Sequence, residues 1–224
     1  MNKSTKRKEA GPASECIASP RHQIRGWRYV LLELAIVTAG LFIALMLNSA
    51  VEWAHHRQLV RDARRNIQLE LRQNRQTVRQ DLGNLRSSLA GVQRNIATLQ
   101  TMRTGHFSKG SLTNSIAYAA LDDAAWHTAR DTEALSYMPY AEAQRYSGLY
   151  GAIDFVNSRA RALMDTQFNA AAPAEMGYDV SNLPPQEINA MLRGNAEAKI
   201  GLITVMQMLT QLDAELAKES GAKS

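Results

Sequence analysis

The sequence predicts an all-α membrane protein, in which one N-terminal transmembrane helix continues into a long stalk helix that packs with two or three further helices as an antiparallel bundle. Three observations predict it. Residues 30–51 form an apolar run, VLLELAIVTAGLFIALMLNSAV, whose only charge is Glu33. At about 1.5 Å of helical rise per residue the run is roughly 33 Å long, enough to cross a hydrocarbon core of about 30 Å. Residues 51–104 contain no proline and repeat apolar positions about every 3.5 residues. Residues 185–218 carry a heptad seam, and no segment of any length alternates at the period of a strand.

The first element is the span. A cleavable secretory signal has only about 7 to 15 apolar residues and ends at a small-residue site. Here the run is longer and its end reads Asn48-Ser49-Ala50, so the segment is read as an uncleaved anchor. Trp27 and Tyr29 on one side and Trp53 on the other supply aromatic rings at both interfaces. No second run of this kind exists, so the chain crosses once. Residues 1–28 hold seven Lys or Arg against Glu9 and Glu15, and short basic flanks stay cytoplasmic. The N-terminus is therefore expected inside and the C-terminal domain outside, although Arg57, Arg61, Arg64 and Arg65 follow the span closely.

The expected order is a disordered basic tail over 1–28, a transmembrane helix over 29–51, a stalk over 52–104, a helical bundle over 105–218 and a short disordered tail over 219–224. The tail is rich in Lys, Ser, Glu, Gly and Pro and has little to bury. Its Lys6-Arg7-Lys8 run reads as a topology determinant before it reads as a lipid site. Cys16, the only cysteine, leaves no disulfide framework.

In the stalk, Val60, Ala63, Ile67, Leu71, Asn74, Val78, Leu82, Leu85, Leu89, Val92, Ile96 and Leu99 recur at helical spacing. The steps from Asn74 through Val78 to Leu82 read as a stutter in the heptad pattern. The segment GHFSKG over 105–110 stops the helix. A shorter helix is expected over 112–130, with Ile116, Leu121, Ala125 and Trp126 on its apolar side. Pro139 opens another, over 139–168, with Tyr146, Leu149, Tyr150, Ile153, Val156, Ala160, Leu163, Met164 and Phe168 on one face. A loop covers 169–184. In the last helix, 185–218, Met191, Asn195, Ala198, Leu202, Val205, Leu209, Leu212 and Leu216 step four then three. Charge agrees with a bundle: residues 54–104 hold ten Arg against three acids, whereas 105–224 hold nine basic and fourteen acidic residues. Nucleic acid is not an expected partner of a domain outside the membrane.

One constellation inside the span suggests association. Glu33, Val37, Gly40, Ala44 and Asn48 share a helix face. Gly40-x-x-x-Ala44 lets two helices approach closely, and Asn48 offers a hydrogen bond across the pair. The competing reading has Glu33 reaching interfacial water and the small residues as ordinary membrane composition. A homodimer is expected through this face or through the heptad seams. Other chemistry is thin. Asp123 and His127 lie at i, i+4 spacing without a third metal ligand in sequence, and His55-His56 diverge on a helix. Ser147-Gly148 is no nucleophile elbow, and Tyr137, Tyr140, Tyr146 and Tyr150 read as packing. No catalytic, cofactor-binding or metal residue is assigned, and no enzyme activity is expected.

The segment LLELAIVTAGLFIALMLNSAVEW resembles the membrane signature of a family of bacterial single-pass inner-membrane proteins that have no assigned activity. Leu31, Leu32 and Glu33, then Gly40, Ile43, Ala44, Leu45 and Asn48, occupy the places of its L-L-E and G-x-x-I-A-L-x-x-N motif. Trp126, Thr132, Leu135, Leu149 and Tyr150 resemble its second part, so the likeness covers roughly residues 25–155. Trp53 lies farther from Asn48 than the family's aromatic, and Glu133 stands where the family often has Gly. The resemblance implies an inner-membrane location and no mechanism. The leading functional expectation is a non-catalytic interaction or scaffold protein of the bacterial envelope, its partners the lipid bilayer and an unknown envelope protein. The alternative is a ligand-sensing helical module outside the cytoplasm that signals through a partner.

Overall fold

The computed structural model describes residues 23–105, 112, 115–175 and 183–221. Among them the helices are α1 (Gln23–Arg103), α2 (Ala124–Asp131), a 3-10 turn (Ala134–Tyr137), α3 (Tyr140–Glu175) and α4 (Pro185–Gly221), with no strand among the described residues. The chain divides into two compact units, residues 1–53 and 54–224.

In the first unit, residues 26–53 of α1 are exposed throughout, including Leu31, Ile36, Leu41, Phe42, Leu45 and Leu47. By length and composition this helix is a candidate membrane span. A helix apolar on every side and covered by no protein has a bilayer as its natural solvent. Gln23–Arg28 are helical, so the expected disordered tail ends earlier than residue 28. Residues 1–22, with Cys16 and the Lys6-Arg7-Lys8 run, lie outside the described residues.

The second unit is organised by the buried face of α1. Ile67, Leu71, Asn74, Val78, Asp81, Leu85, Ser88, Val92, Asn95 and Leu99 are all buried and step four, three, four, three without a break. The stutter expected at Leu82 is absent, because Asp81 takes the seam position and Leu82 packs at its flank. One row of the seam, Leu71, Val78, Leu85, Val92 and Leu99, is wholly apolar. The other, from Asn74 through Asp81 and Ser88 to Asn95, is polar and just as buried.

The eight seam residues of α4 from Met191 to Leu216 are all buried, as the heptad spacing requires. Asn95 Nδ2 donates to Asn195 Oδ1 (3.2 Å). Toward the other end, the Nε atoms of Arg75 and Arg79 meet Asp213 Oδ1 at 3.1 and 3.2 Å, so α4 runs antiparallel to α1. It is also antiparallel to α3, through Arg145 and Glu219 (2.8 Å) at one end and Leu163 beside Gly201 at the other. A Cβ on Gly201 would stand 2.8 Å from Leu163 Cδ1, so a side chain there would push that methyl aside. The antiparallel pairs are thus those of α4, while α3 runs in the same direction as α1. Arg64 pairs with Glu142, and six residues on, Glu70 meets Tyr150.

That direction dictates the connection. After Arg103 the chain returns to the level of Glu70, where Ala125 is bound, about 50 Å back along α1. The 22 residues from Arg103 to Ala125 would cover only about 33 Å as helix, whereas extended chain covers that distance in fewer residues. The helix expected over 112–130 is accordingly not formed: residues 115–123 form no helix, Ala119 and Asp122 being held at Asp81 and Asn74, seven residues apart on α1, as an extended strap, and only Ala124–Asp131 coil. Gly105, with φ of 79°, closes α1, in keeping with the expected glycine stop. The rest of that loop lies outside the described residues.

Two other boundaries move. α3 runs past Phe168 to Glu175 because Ala170, Ala171 and Ala172 are strong helix formers. α4 continues to Gly221, so part of the expected tail over 219–224 is helical. Between α2 and the 3-10 turn, Glu133 adopts a left-handed backbone, φ 59° and ψ 12°. This is the conformation a glycine takes without steric cost.

Candidate functional site

The polar row of α1 holds the extended strap. Asn74 binds Asp122 at both backbone groups: the Asp122 N–H donates to Oδ1 (2.8 Å) and Nδ2 donates to the carbonyl (2.7 Å). Two turns further along the seam, Asp81 Oδ1 accepts the Ala119 N–H (3.1 Å). From the opposite side, Asn157 on α3 does the same for Leu121, accepting its N–H (3.0 Å) and donating to its carbonyl (2.9 Å). Asn157 Oδ1 also accepts the Tyr118 hydroxyl (2.7 Å). Leu121 is buried while Ala119, Ala120 and Asp122 are exposed on one side; with no neighbouring strand, the backbone groups this segment turns toward the helices need partners, and these three side chains supply them.

Glu70 forms the next node. Its Oε2 accepts the Ala125 N–H (2.8 Å) and its Oε1 accepts the Tyr150 hydroxyl (2.6 Å). Asp123, in the N-cap position of α2, makes no capping bond of its own. Glu70 caps the helix from α1 instead, satisfying a first-turn amide that lacks an intrahelical partner. Trp126 stacks on Tyr150 with ring centroids 5.3 Å apart. Burial, followed by the hydrogen bond to Glu70, pushes the Tyr150 phenol well above its ordinary range. Burial likewise raises Asp81, opposed by its bond to Ala119, and Asp81 Oδ2 is buried without a hydrogen-bond partner. Neither group is accessible to a substrate, and the network is structural.

The residues singled out by sequence fall in several places. Glu33, Gly40, Ala44 and Asn48 are all exposed on the first unit, with nothing within 4 Å of a Cβ built on Gly40. Asn48 Nδ2 donates to Glu52 Oε1 (2.8 Å), an intrahelical bond that a partner helix would have to replace. Asp123 and His127 pair at 3.2 Å, both half-exposed, and among the described residues no group of three or more His, Cys, Asp or Glu stands together for a metal. Tyr146 and Tyr150 are core, whereas Tyr137 and Tyr140 are exposed. His56 stacks on Tyr137, with centroids 3.8 Å apart.

The arginines counted over 54–104 lie in part on the outer face of α1 in the second unit. Arg72, Arg75, Gln76, Arg79 and Gln80 line a shallow groove of about 570 Å³ open to solvent. No protein-family model, curated protein or solved structure matches the chain.

Proposed function

We propose that this protein is a membrane-anchored, non-catalytic interaction or scaffold protein of the bacterial envelope, with its N-terminus cytoplasmic and its helical domain on the periplasmic side. The observation that carries the reading is the contrast between the two units. Residues 30–51 are apolar but for Glu33 and are uncovered, while in the second unit the buried polar groups hold the protein's own strap. The basic flank before the span supports the orientation. The inner-membrane location rests in addition on the span's likeness to the single-pass family.

Crosslinking in native bacterial membranes followed by mass spectrometry tests this reading. A stable envelope-protein partner is expected. Thermal stabilisation of the purified protein by a small molecule, with no protein crosslinked, would favour a sensing module instead. Extraction by alkaline carbonate would remove the anchor altogether. A homodimer through Glu33, Gly40, Ala44 and Asn48 is part of the same proposal. Gly40→Ile with Ala44→Ile should abolish self-association in a membrane two-hybrid assay, and unchanged association would end that part of it.

A further inference from the structure

The outer face of α1 carries a regular charge pattern that the bundle uses at Arg79 alone. Arg65, Arg72, Arg79 and Arg86 are spaced by seven residues and all exposed. The repeat that holds the seam toward the core therefore holds these four in one line, about 10.5 Å apart and roughly 32 Å long. Only Arg79 has an ion pair among the described residues, with Asp213; Arg65, Arg72 and Arg86 have none.

Three further observations separate this line from an ordinary solvated face. A helix exposed to water usually alternates its charges and gains from acids at i, i+4. Here the acids after Asp62 are Glu70 and Asp81, both already bonded to the strap and its helix. All ten cations of residues 54–104 are Arg and none is Lys, the choice suited to bidentate pairing with carboxylates. Beside the line runs an uncharged row at the same spacing, Leu69, Gln76, Gly83 and Ala90, with Leu69 half-exposed and open space around Gly83. A second helix can lie along such a row and turn a flank of its own toward the arginines.

We propose that this face docks an acidic helix of a separate envelope protein, one that presents Glu or Asp at every seventh position. The inference rests on the interaction reading above and specifies the partner's chemistry. A second copy of this chain does not fit. The acids of α3 at Glu142, Asp154, Asp165 and Glu175 and those of α4 at Glu187, Glu197, Asp213, Glu215 and Glu219 contain no two that are seven residues apart. Two such arginine faces would also repel each other.

The test uses the full chain in nanodiscs of zwitterionic phosphatidylcholine and a fluorescent helical peptide of about four heptads with one Glu per heptad. Its control is an isomer of the same composition with the glutamates clustered. The heptad peptide should bind roughly tenfold more tightly than the isomer at physiological salt. The variant R65Q/R72Q/R86Q should lose roughly tenfold while melting as the wild type does, since these side chains are exposed and outside the core. Equal binding of the two peptides, or undiminished binding by the variant, overturns the proposal. So does preference for phosphatidylglycerol vesicles over the heptad peptide, which would make the face a lipid or general polyanion surface. A crosslinked partner together with indifferent peptides removes the arginine line alone, whereas no crosslinked partner removes the interaction reading itself.

Discussion

α4 and the strap cover neighbouring parts of the same α1 face, and they are held by different physics. Leu202, Val205, Leu209, Leu212 and Leu216 bring α4 into the core by removing apolar surface from water. Residues 118–122 are fixed by amide and carboxylate groups that pair with backbone. The first kind of contact is additive and forgiving of small shifts. The second is directional: take away one partner and a buried N–H or carbonyl is stranded. α4 should therefore respond to volume and charge in its seam, and the strap to single atoms.

The largest effect is expected in the apolar seam. Leu209→Asp places an unpaired charge at a fully buried position and should cost at least about 3–5 kcal/mol. Loss of the protease-resistant bundle is the readout, and wild-type resistance would mean that α4 does not face the core. Asn157→Ala strands both backbone groups of Leu121 and should cost about 2–4 kcal/mol. Here hydrogen exchange should accelerate in 118–125 while α4 keeps its protection; uniform acceleration would erase the distinction between the two kinds of contact.

Smaller effects sharpen it. Gly83→Ala, in an exposed helical position with free space, should raise stability by about 0.5–1 kcal/mol. Glu133→Gly, by releasing a left-handed backbone, should gain no more than about 1 kcal/mol in thermal denaturation. The smallest belongs to Asp81. Its folded pKa lies above the ordinary carboxyl value of 3.8, so the folded state binds the proton more tightly than the unfolded chain. Its contribution to stability is then greatest below that ordinary value and falls as pH rises through the raised one. Asp81→Asn should flatten this part of the stability–pH profile, and an unchanged slope would assign it elsewhere.

Much of the fold is legible because heptads and apolar runs repeat. The span, the stalk face and the α4 seam can be counted from the chain, and Pro185 and Gly105 mark their ends. The strap is not legible in that way. In an apolar pattern Asn74 reads as a tolerated position, and Leu82 outranks its neighbour Asp81 as a seam residue. Their partners lie 48 and 38 residues away and are backbone atoms, which carry no side-chain signature. A signal was present nonetheless: Asn74, Asp81, Ser88 and Asn95 repeat by seven, and a polar heptad row inside a seam asks what it binds. The arginine row is equally regular: the excess of Arg over 54–104 is plain in the chain, and its seven-residue spacing is as countable as the apolar one.

Gly201, the seam of α4 and its long-range pairs have a consequence for how the molecule is made. Asn95 and Asn195 are 100 residues apart, and Arg75 and Asp213 are 138. A ribosome adding about 5–20 residues per second finishes α1 several seconds before α4 emerges. Throughout that interval the nascent helix lacks the α4 side of its core, and Leu99 lacks Ile188 and Met191. A message broken before codon 185 would leave it so permanently, a greasy surface for chaperones and proteases to find.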